Sequence, residues 1–379
     1  MVRKLADNIF SPLGPTTAAN YAAVVAGKSR LQRYEGAMGL PEPFVASLFD
    51  WSQVPQMEGY TRFERIAIQS ARQALGQTTI DCSSATVQFI ISTTKGNVEL
   101  LDHHHYPGAE HSDESHVYLG EAASRIAAYF GNRNQPIVVS SACISGLSAQ
   151  VTAMRLIESG ACETAVVVGA DVLSRFIVSG FQSLKALAAQ ECRPFDLERI
   201  GLNLGEAAAT IVYGHTKQPH DGEWTAIRGA VRNDAYHISG PSPKGEGSYL
   251  AIRATMGDTT AEELAFVNVH GTSTLYNDEM ESAALERAAL SSVPANSLKG
   301  YYGHTMGAAG VLETIVSMQA VDHGTVLATR GFEDLGVSHP ICVAANNATT
   351  SKRLFLKLLS GFGGCNAAML FRKWGNENV

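Results

Sequence analysis

Residues 135–149 read Gln135-Pro-Ile-Val-Val-Ser-Ser-Ala-Cys-Ile-Ser-Gly-Leu-Ser-Ala149, and the pattern changes halfway along this segment. Three apolar β-branched residues after a proline, 137–139, predict a short buried strand. From Ile144 onward apolar residues recur every three to four positions as far as Gly160, which predicts a helix. Cys143 therefore lies where a strand turns sharply into a helix. We expect its side chain at the carboxyl edge of a sheet.

This position makes Cys143 a candidate nucleophile. A helix N-terminus carries unpaired N–H groups and the positive end of the helix dipole, so we expect it to favour the thiolate, which is the reactive form. The alternative is a small buried hydrophobe, because free cysteines are among the most buried residue types. Other segments of the chain decide between these two interpretations.

The composition of the 379-residue chain indicates a compact α/β enzyme, because 45% of its residues are hydrophobic and only 17% are charged. The formal net charge of −7 does not favour nucleic-acid binding. Six cysteines are scattered without a CxxC pair, which predicts a reducing, cytoplasmic setting. No apolar leader segment and no apolar run of the ~20 residues that a membrane span needs is visible.

Strand-like and helix-like segments alternate through two successive parts of the chain, which predicts a layered α/β fold. We place the two parts at residues 1–215 and 216–379, in one compact unit. Residues 30–59 lack a strong period and are predicted to form a surface excursion. Residues 341–345 are predicted to be a strand. His103-His-His105 is better explained as a solvated loop cluster than as a metal site.

Three further segments carry residues suited to catalysis. Val267-Asn-Val-His-Gly-Thr-Ser-Thr274 places His270 just after a predicted strand, and Lys299-Gly-Tyr-Tyr-Gly-His304 places His304 just before a predicted helix. Taken alone, each histidine is better explained as a structural residue than as a catalyst, but two of them at strand ends together with Cys143 form a stronger pattern. Ser360-Gly-Phe-Gly-Gly-Cys-Asn366 predicts a backbone that passes close to another group, or else a tight hairpin with Phe362 in the core. Catalytic groups collect at the carboxyl ends of such strands.

Together these segments resemble the elongating β-ketoacyl-acyl-carrier-protein synthases, which have a Cys-His-His site. The resemblance rests on motifs in the family's order: Ser141-Ala-Cys143, His270-Gly-Thr-Ser-Thr274, Lys299 to Gly310 (Lys-x-x-x-Gly-His-x-x-Gly-Ala-Ala-Gly), Gly361-Phe-Gly-Gly-Cys-Asn366, Ser11-Pro-Leu-Gly14, Arg193-Pro-Phe-Asp196, Gly205-Glu-Ala-Ala208 and Asn233-Asp-Ala-Tyr-His237. It implies a thiolase-like five-layer αβαβα fold of two similar halves. Several ordered motifs are far more specific than any one of them.

The resemblance also implies a decarboxylative Claisen condensation in fatty-acid, polyene or polyketide synthesis. Cys143 would take the acyl group, and His270 and His304 would donate hydrogen bonds to the enolate of malonyl-acyl-carrier protein. Lys299 would position His304, with Glu313 as its buried counter-charge. The N–H groups of Cys143 and Phe362 would form an oxyanion hole, with Phe362 also acting as a gate. Thr272 and Thr274 would contact the pantetheine.

Neither a cofactor nor a catalytic metal is implied, since the substrates travel on the phosphopantetheine of an acyl carrier protein. Some members hold a structural cation near Gly361, and we expect that site to be altered here because Lys357-Leu-Leu-Ser360 replaces the usual residues. The carrier should dock on basic residues, for which the candidates are Arg62, Arg65, Arg193 and Arg199.

The expected assembly is a homodimer, with a heterodimer of two synthase-like chains as the other possibility. The rival function is a non-catalytic or partner-dependent chain-length-type subunit, although such subunits typically lack the nucleophile. A degradative thiolase would need a second catalytic cysteine, and an initiating synthase would carry asparagine in place of His304. The pattern of this chain therefore favours an elongating acyltransferase.

Overall fold

A ten-stranded mixed sheet forms the framework of the protein. The computed structural model describes residues 1–102 and 114–375, so the histidines at 103–105 lie outside the described residues. The strands are β1 (Val2–Phe10), β2 (Gln32–Tyr34), β3 (Phe44–Ser47), β4 (Val87–Ser92), β5 (Ile137–Val139), β6 (Thr164–Asp171), β7 (Leu204–Gly205), β8 (Ala207–His215), β9 (Trp224–Asn233), β10 (Leu264–Asn268), β11 (Ala295–Asn296), β12 (Thr325–Val326), β13 (Ala348–Thr349), β14 (Leu354–Gly361) and β15 (Cys365–Lys373).

The two halves of the large sheet have the same strand order. The first half runs β1-β8-β6-β4-β5 and the second runs β9-β15-β14-β10-β11. In both, the outermost three strands are parallel and the other pairings are antiparallel. The halves join where β1 meets β9 through two residue pairs. This shared order confirms the two similar halves, while the boundary between residues 215 and 216 stays a prediction.

Helices complete the five layers. They are α1 (Thr17–Val25), α2 (Arg62–Leu75), α3 (Leu119–Tyr129), α4 (Ser145–Glu158), α5 (Arg175–Ser183), α6 (Glu246–Met256), α7 (Leu275–Arg287), α8 (Lys299–Tyr302) and α9 (Ala309–Asp322). Helices α4 and α9 contact strands of both halves and lie between them. Helix α9 is buried on nearly every side, as its almost uninterrupted apolar sequence requires. Helices α2 and α3 cover one outer face, and α6 and α7 cover the other.

The two central helices touch through glycines. A Cβ on Gly310 would lie 2.3 Å from the Leu147 nitrogen, and one on Gly146 would lie 2.9 Å from the Gly310 nitrogen. Gln150 extends the contact by donating from its side-chain amide to the Gly310 carbonyl at 2.9 Å. The buried Tyr213 hydroxyl in turn donates to Gln150 Oε1 at 2.7 Å. Side chains larger than glycine would force the two helices apart at this crossing.

Equivalent strands of the two halves carry the catalytic candidates at their carboxyl ends. Cys143 follows β5, and Lys299 and His304 follow the equivalent strand β11. His270 follows β10, and Phe362 follows β14. The expectation that these residues gather at carboxyl ends of strands is therefore met in both halves.

Two expectations about secondary structure are wrong. Residues 30–59 contain β2 and β3 and bury Phe44, Val45 and Ala46, because β3 pairs with β7 and forms a small separate sheet. Residues 341–345 do not form a regular strand, because they meet β11 through a single bridge between Val343 and Ala295. Within the described ranges, no helix has the length and apolar character required to cross a membrane.

The close contact between Gly310 and the backbone of α4 predicts how a substitution there changes stability. We expect Gly310→Ala to lower the free energy of unfolding by about 1–3 kcal/mol or more, because its methyl group would overlap the backbone of α4. Gly180→Ala in α5 is the matched control. Its Cβ would meet nothing within 4 Å, so the better helix propensity of alanine should leave stability unchanged or raise it by up to about 1 kcal/mol. Urea unfolding midpoints measure both, and equal midpoints would contradict the close contact.

Candidate active site

The turn that carries Cys143 is held in a strained conformation. Ala142, just before the cysteine, has a φ of 46°, a left-handed value that residues with a side chain rarely adopt. Ser145 fixes the turn, since its Oγ accepts from the Ser141 N–H at 2.8 Å and donates to the Ala142 carbonyl at 2.6 Å. This role of Ser145 was not predicted, although a serine in the first helical turn after the cysteine was visible in the sequence.

The structure brings Cys143, His270 and His304 together. One side-chain N or S atom from each of the three residues lies within 4.8 Å of the others. The two imidazole rings face each other edge-on, with centroids 5.1 Å apart and planes at 82°. All three side chains are buried. Three residues that are far apart in the sequence thus share one small, buried space.

The backbone fixes the tautomer of His304. Its Nδ1 accepts a hydrogen bond from the Met306 N–H at 3.3 Å, so the ring proton lies on Nε2. Nε2 has no partner within the described residues. A Cys-His-His cluster could in principle hold a metal ion, but a metal ligand needs a lone pair on Nε2. The arrangement instead favours His304 as a hydrogen-bond donor.

Carboxylates anchor the loop that carries His270. Glu281 accepts from the His270 N–H at 2.7 Å and from the Gly271 N–H at 2.6 Å. Asp278 accepts from the Thr272 N–H at 3.0 Å. On the other side of the site, the backbone of His304 is held by the first half of the protein, since its N–H donates to the Asn203 carbonyl at 2.7 Å. These supporting residues were not identified from the sequence.

Both histidines are neutral in this environment. Burial lowers the pKa of His270 well below its usual value of 6.5, and nearby Lys299 lowers it further. Burial likewise lowers the pKa of His304 far below 6.5, and the positive charges of Lys299 and Lys357 act in the same direction. Neutral imidazoles retain one N–H each, which is what a pair of hydrogen-bond donors needs.

The expectation that Cys143 rests as a thiolate is wrong. The pKa of the Cys143 thiol is raised to about 12, mainly by burial and to a smaller extent by the neighbouring Cys365 thiol. The Phe362 N–H donates to the cysteine sulfur and favours the thiolate, as does the charge of Lys299, but neither offsets the loss of water. The resting nucleophile is therefore a protonated thiol in a site that is arranged to accept charge.

The glycine-rich loop passes close to the nucleophile, as its sequence predicts. A Cβ on Gly361 would lie 3.1 Å from the Cys143 nitrogen and 2.9 Å from the Cys365 sulfur, so only glycine fits there. The Phe362 side chain is not in the core, since 39% of its surface is exposed. It stacks on Phe181 of α5, with ring centroids 5.9 Å apart. This position at the opening of the site is compatible with a gate.

A cavity of about 390 Å³ leads from the surface to the three clustered side chains. Thr272 and Thr274 line it, and their hydroxyls are hydrogen-bonded to each other at 2.9 Å. Phe181, Phe362 and Leu202 add apolar wall. The cavity therefore offers two hydroxyls and an apolar surface on the way to Cys143, which suits an amide-bearing, partly apolar chain.

A buried ionic cluster lies behind the histidines. Lys299 Nζ is 2.6 Å from Glu313 Oε1, so Glu313 lies in the position expected for the buried counter-charge of Lys299. Lys357 Nζ is 2.6 Å from Glu313 Oε2 and also donates to the Leu358 carbonyl at 2.9 Å. We refer to Lys299, Glu313 and Lys357 as the lysine–glutamate cluster. Its three side chains are almost completely buried, and it carries one positive charge more than a simple ion pair.

The four arginines considered as a carrier dock are all engaged elsewhere. Arg65 is buried and donates to backbone carbonyls at 2.9 and 3.1 Å, and Arg199 is also buried and donates to the Asp196 carbonyl at 3.0 Å. Arg62 is paired with two buried glutamates, at 3.2 and 3.3 Å. Arg193 is paired with three carboxylates, the shortest distance being 3.0 Å. Arg65 and Arg199 are therefore too buried to dock a carrier, whereas the side chains of Arg62 and Arg193 are 25% and 27% exposed, and their part in docking stays a prediction.

The lysine–glutamate cluster yields a prediction about stability. Glu313→Gln would leave two buried ammonium groups without a counter-charge, and we expect it to cost about 3–5 kcal/mol of unfolding free energy. Lys357→Met leaves a balanced Lys299–Glu313 pair and fills a similar volume, so we expect a change within about 1 kcal/mol. Urea unfolding at pH 7 measures both variants. A Lys357→Met loss as large as that of Glu313→Gln would contradict the charge argument.

Comparisons with known proteins agree with this site. The chain matches the family profile "Beta-ketoacyl synthase, N-terminal domain" over residues 18–217 and "Beta-ketoacyl synthase, C-terminal domain" over residues 225–333. It is 28% identical to 3-oxoacyl-[acyl-carrier-protein] synthase 2 of Vibrio cholerae, covering 96% of this chain and 97% of that one. It is 27% identical to the ketoacyl synthase alpha subunit of the tetracenomycin polyketide synthase of Streptomyces glaucescens, covering 96% and 95%.

Among solved structures, a ketosynthase (ApeO) in complex with its chain length factor (ApeC) from Xenorhabdus doucetiae superposes with a TM-score of 0.89 at 24% identity, covering 98% of both chains. This likeness confirms the predicted thiolase-like architecture. The matched profiles together extend over most of the chain and include Cys143, His270 and His304. The chain belongs to the β-ketoacyl synthase family.

Proposed function

We propose that this protein catalyses the decarboxylative Claisen condensation of an acyl group on Cys143 with malonyl-acyl-carrier protein, giving 3-oxoacyl-acyl-carrier protein. The observation that carries the proposal is the clustering of one thiol and two neutral imidazoles, within 4.8 Å of one another, at the end of a cavity open to the surface. A thiol can carry an acyl group, and paired neutral donors can stabilise an enolate.

In the first half-reaction, the Cys143 sulfur attacks the carbonyl of an acyl thioester. The S–H proton of Cys143 ends on the departing carrier sulfur, so the step exchanges one thioester for another. The carbonyl oxygen becomes negative in the transition state and needs donors that are already in place. The Phe362 N–H, which points at the cysteine sulfur, and the Cys143 N–H beside Gly361 are the groups we assign to this task.

In the second half-reaction, malonyl-carrier loses CO2 and leaves an enolate whose oxygen carries the charge. The protonated Nε2 of His304 is aimed into the site and has no partner there within the described residues, so it is free to donate to this oxygen. His270 faces the same space and supplies the second donor. The enolate carbon then attacks the acyl-cysteine carbonyl, the C–S bond breaks, and the cysteine sulfur leaves as a thiolate that takes one proton from solvent.

The lysine–glutamate cluster supports this chemistry from behind. Its surplus positive charge lowers the pKa of both histidines and attracts the negative charge that forms in front of them. Lys299 is assigned to position His304 and is not assigned as a base, because Glu313 holds its ammonium group. The proposed reaction requires no cofactor on this chain, since both substrates arrive on a phosphopantetheine arm.

We also propose the partners and the setting. The substrate partner is an acyl carrier protein, as the name of the Vibrio cholerae relative indicates for that enzyme. A second synthase-like chain is proposed to cover β5, the last strand of the large sheet, whose three apolar residues are only partly buried. The ApeO ketosynthase is paired with a chain length factor, so the proposed second chain is either a copy of this one or a different subunit. The six free thiols suit a cytoplasmic setting.

Intact-protein mass tests the proposed function. After incubation with acyl-loaded carrier proteins of several chain lengths, the wild type should gain one acyl mass, and added malonyl-carrier should discharge it as a 3-oxoacyl product. Cys143→Ala should gain no mass, whereas Cys162→Ala, which removes another buried cysteine, should be acylated like the wild type. If no donor acylates the wild type and it co-purifies with a second synthase-like chain, the non-catalytic subunit function replaces this proposal.

The neutral histidines predict the pH dependence of CO2 release. Because their pKa values lie well below 6.5, both imidazoles keep the same protonation state as pH falls through 6.5. We expect the two imidazoles to contribute no inflection to the decarboxylation rate of malonyl-carrier between about pH 5.5 and 8. Any inflection in this range should come from the loop carboxylates, because burial raises the pKa of Glu281 to about 7 and that of Asp278 to about 6. An inflection at 6.5 that persists in both Glu281→Gln and Asp278→Asn would mean that one histidine titrates like a solvated imidazole and acts as an acid or base.

A further inference from the structure

The opening of the catalytic cavity is bordered by exposed apolar side chains. Leu184, Ile200, Leu275 and Tyr276 line the cavity and are each more than half exposed. Beside them, His237 and Ser239 face the cavity while their neighbours Tyr236 and Ile238 point outward. Ile238 is 80% exposed, the largest value among the large apolar side chains of the described residues. We call Leu184, Ile200, Tyr236, Ile238, Leu275 and Tyr276 the apolar rim.

Charge is scarce at this opening. Among the described residues that line the cavity, Lys185 is the one with an exposed, permanently charged side chain. It follows α5 with a φ of 52°, a left-handed position where helices usually place glycine. This left-handed residue places one positive charge at the cavity opening. Of the four arginines expected to provide a basic dock, Arg65 and Arg199 are buried, and Arg62 and Arg193 are already paired with carboxylates.

The apolar rim is also linked to the loop beside the nucleophile. The Ile238 carbonyl accepts a hydrogen bond from the Gly363 N–H at 2.8 Å, next to Phe362. The Asn233 side-chain amide donates to the Gly363 carbonyl at 2.7 Å. A partner that contacts Ile238 would therefore touch a residue that is hydrogen-bonded to Gly363, the neighbour of the proposed gate Phe362.

We propose that the carrier protein docks on the apolar rim mainly through apolar contacts, with Lys185 making a single charged contact. This inference rests on the proposed function. A thioester on a phosphopantetheine arm can enter only if the carrier body lies at the cavity opening, and large exposed apolar patches on soluble proteins mark such interaction sites. The carrier face that fits is apolar around its prosthetic group, with one carboxylate opposite Lys185.

Two acyl donors, one on the carrier protein and one on a small thiol, distinguish an effect on carrier docking from an effect on the acylation chemistry. Acylation of Cys143 is measured by intact mass with the same acyl group on the carrier protein and on a small pantetheine-like thiol. We expect Tyr236→Asp and Ile238→Asp to slow acylation from the carrier about tenfold or more and to leave acylation from the small thioester within about twofold. Val25→Asp, which places the same charge on an exposed apolar position at the end of α1, is the matched control and should change neither rate.

Salt dependence distinguishes an apolar dock from a basic one. Raising NaCl from about 50 to 500 mM should weaken carrier binding by less than about threefold, because one exposed charge contact is screened. Lys185→Ala should weaken binding severalfold at low salt and abolish the remaining salt dependence. A loss of more than about tenfold with salt would overturn the proposal in favour of a basic patch elsewhere.

Other outcomes are also decisive. Rim variants that slow both donors equally, or neither, would refute a docking role. Rim variants that change the mass of the assembly in solution would assign this surface to a second copy of the chain. If neither donor acylates the wild type, the proposed function fails, and direct binding of the carrier to wild type and Ile238→Asp still tests the docking surface.

Discussion

The close contact between α4 and α9 is the constraint on which the active site depends. Cys143 lies just before one of these helices and His304 just before the other, so the separation of the helices sets the distance between nucleophile and donor. Gly146 and Gly310 permit backbone contact, and Gln150 ties the helices together by hydrogen bonds. The two half-sheets pack on either side of this helix pair. Close packing of these helices thus serves catalysis directly, because it fixes the distance between the nucleophile Cys143 and the hydrogen-bond donor His304.

Much of this arrangement could be predicted from local sequence. Alternation of strand and helix gave the layered α/β class, and the motifs around Cys143, His270 and His304 indicated which strand ends meet. Residue pattern alone was insufficient where pairing is long-range. Residues 30–59 lack a clear period, yet they contain β3, which is held by β7 from more than a hundred residues away. Likewise, the local sequence of residues 341–345 does not show that they meet the sheet through only a single bridge at Val343 and so form no regular strand.

The burial of Lys357 could have been predicted from the sequence. It interrupts an apolar strand, and strand residues alternate between faces. Phe355 and Leu359 lie on the face packed against the central helices, whereas Leu356 and Leu358 lie on the other. Lys357 therefore had to enter the central layer, where only a carboxylate could stabilise its charge. The expectation that Arg65 and Arg199 help to dock a carrier protein is wrong, because charge alone does not reveal that a side chain is buried.

The electrostatics of the site follow from the burial of its three side chains. Burial keeps the Cys143 thiol protonated and both imidazoles neutral, so the three side chains carry no charge at rest. The surplus charge of the lysine–glutamate cluster is fixed behind them and requires no rearrangement when charge appears. Each half-reaction creates one transient negative charge, first on an acyl oxygen and then on an enolate. A site that is neutral at rest but surrounded by fixed donors and a buried cation interacts more strongly with those transient states than with the ground state, and that difference is what lowers a barrier.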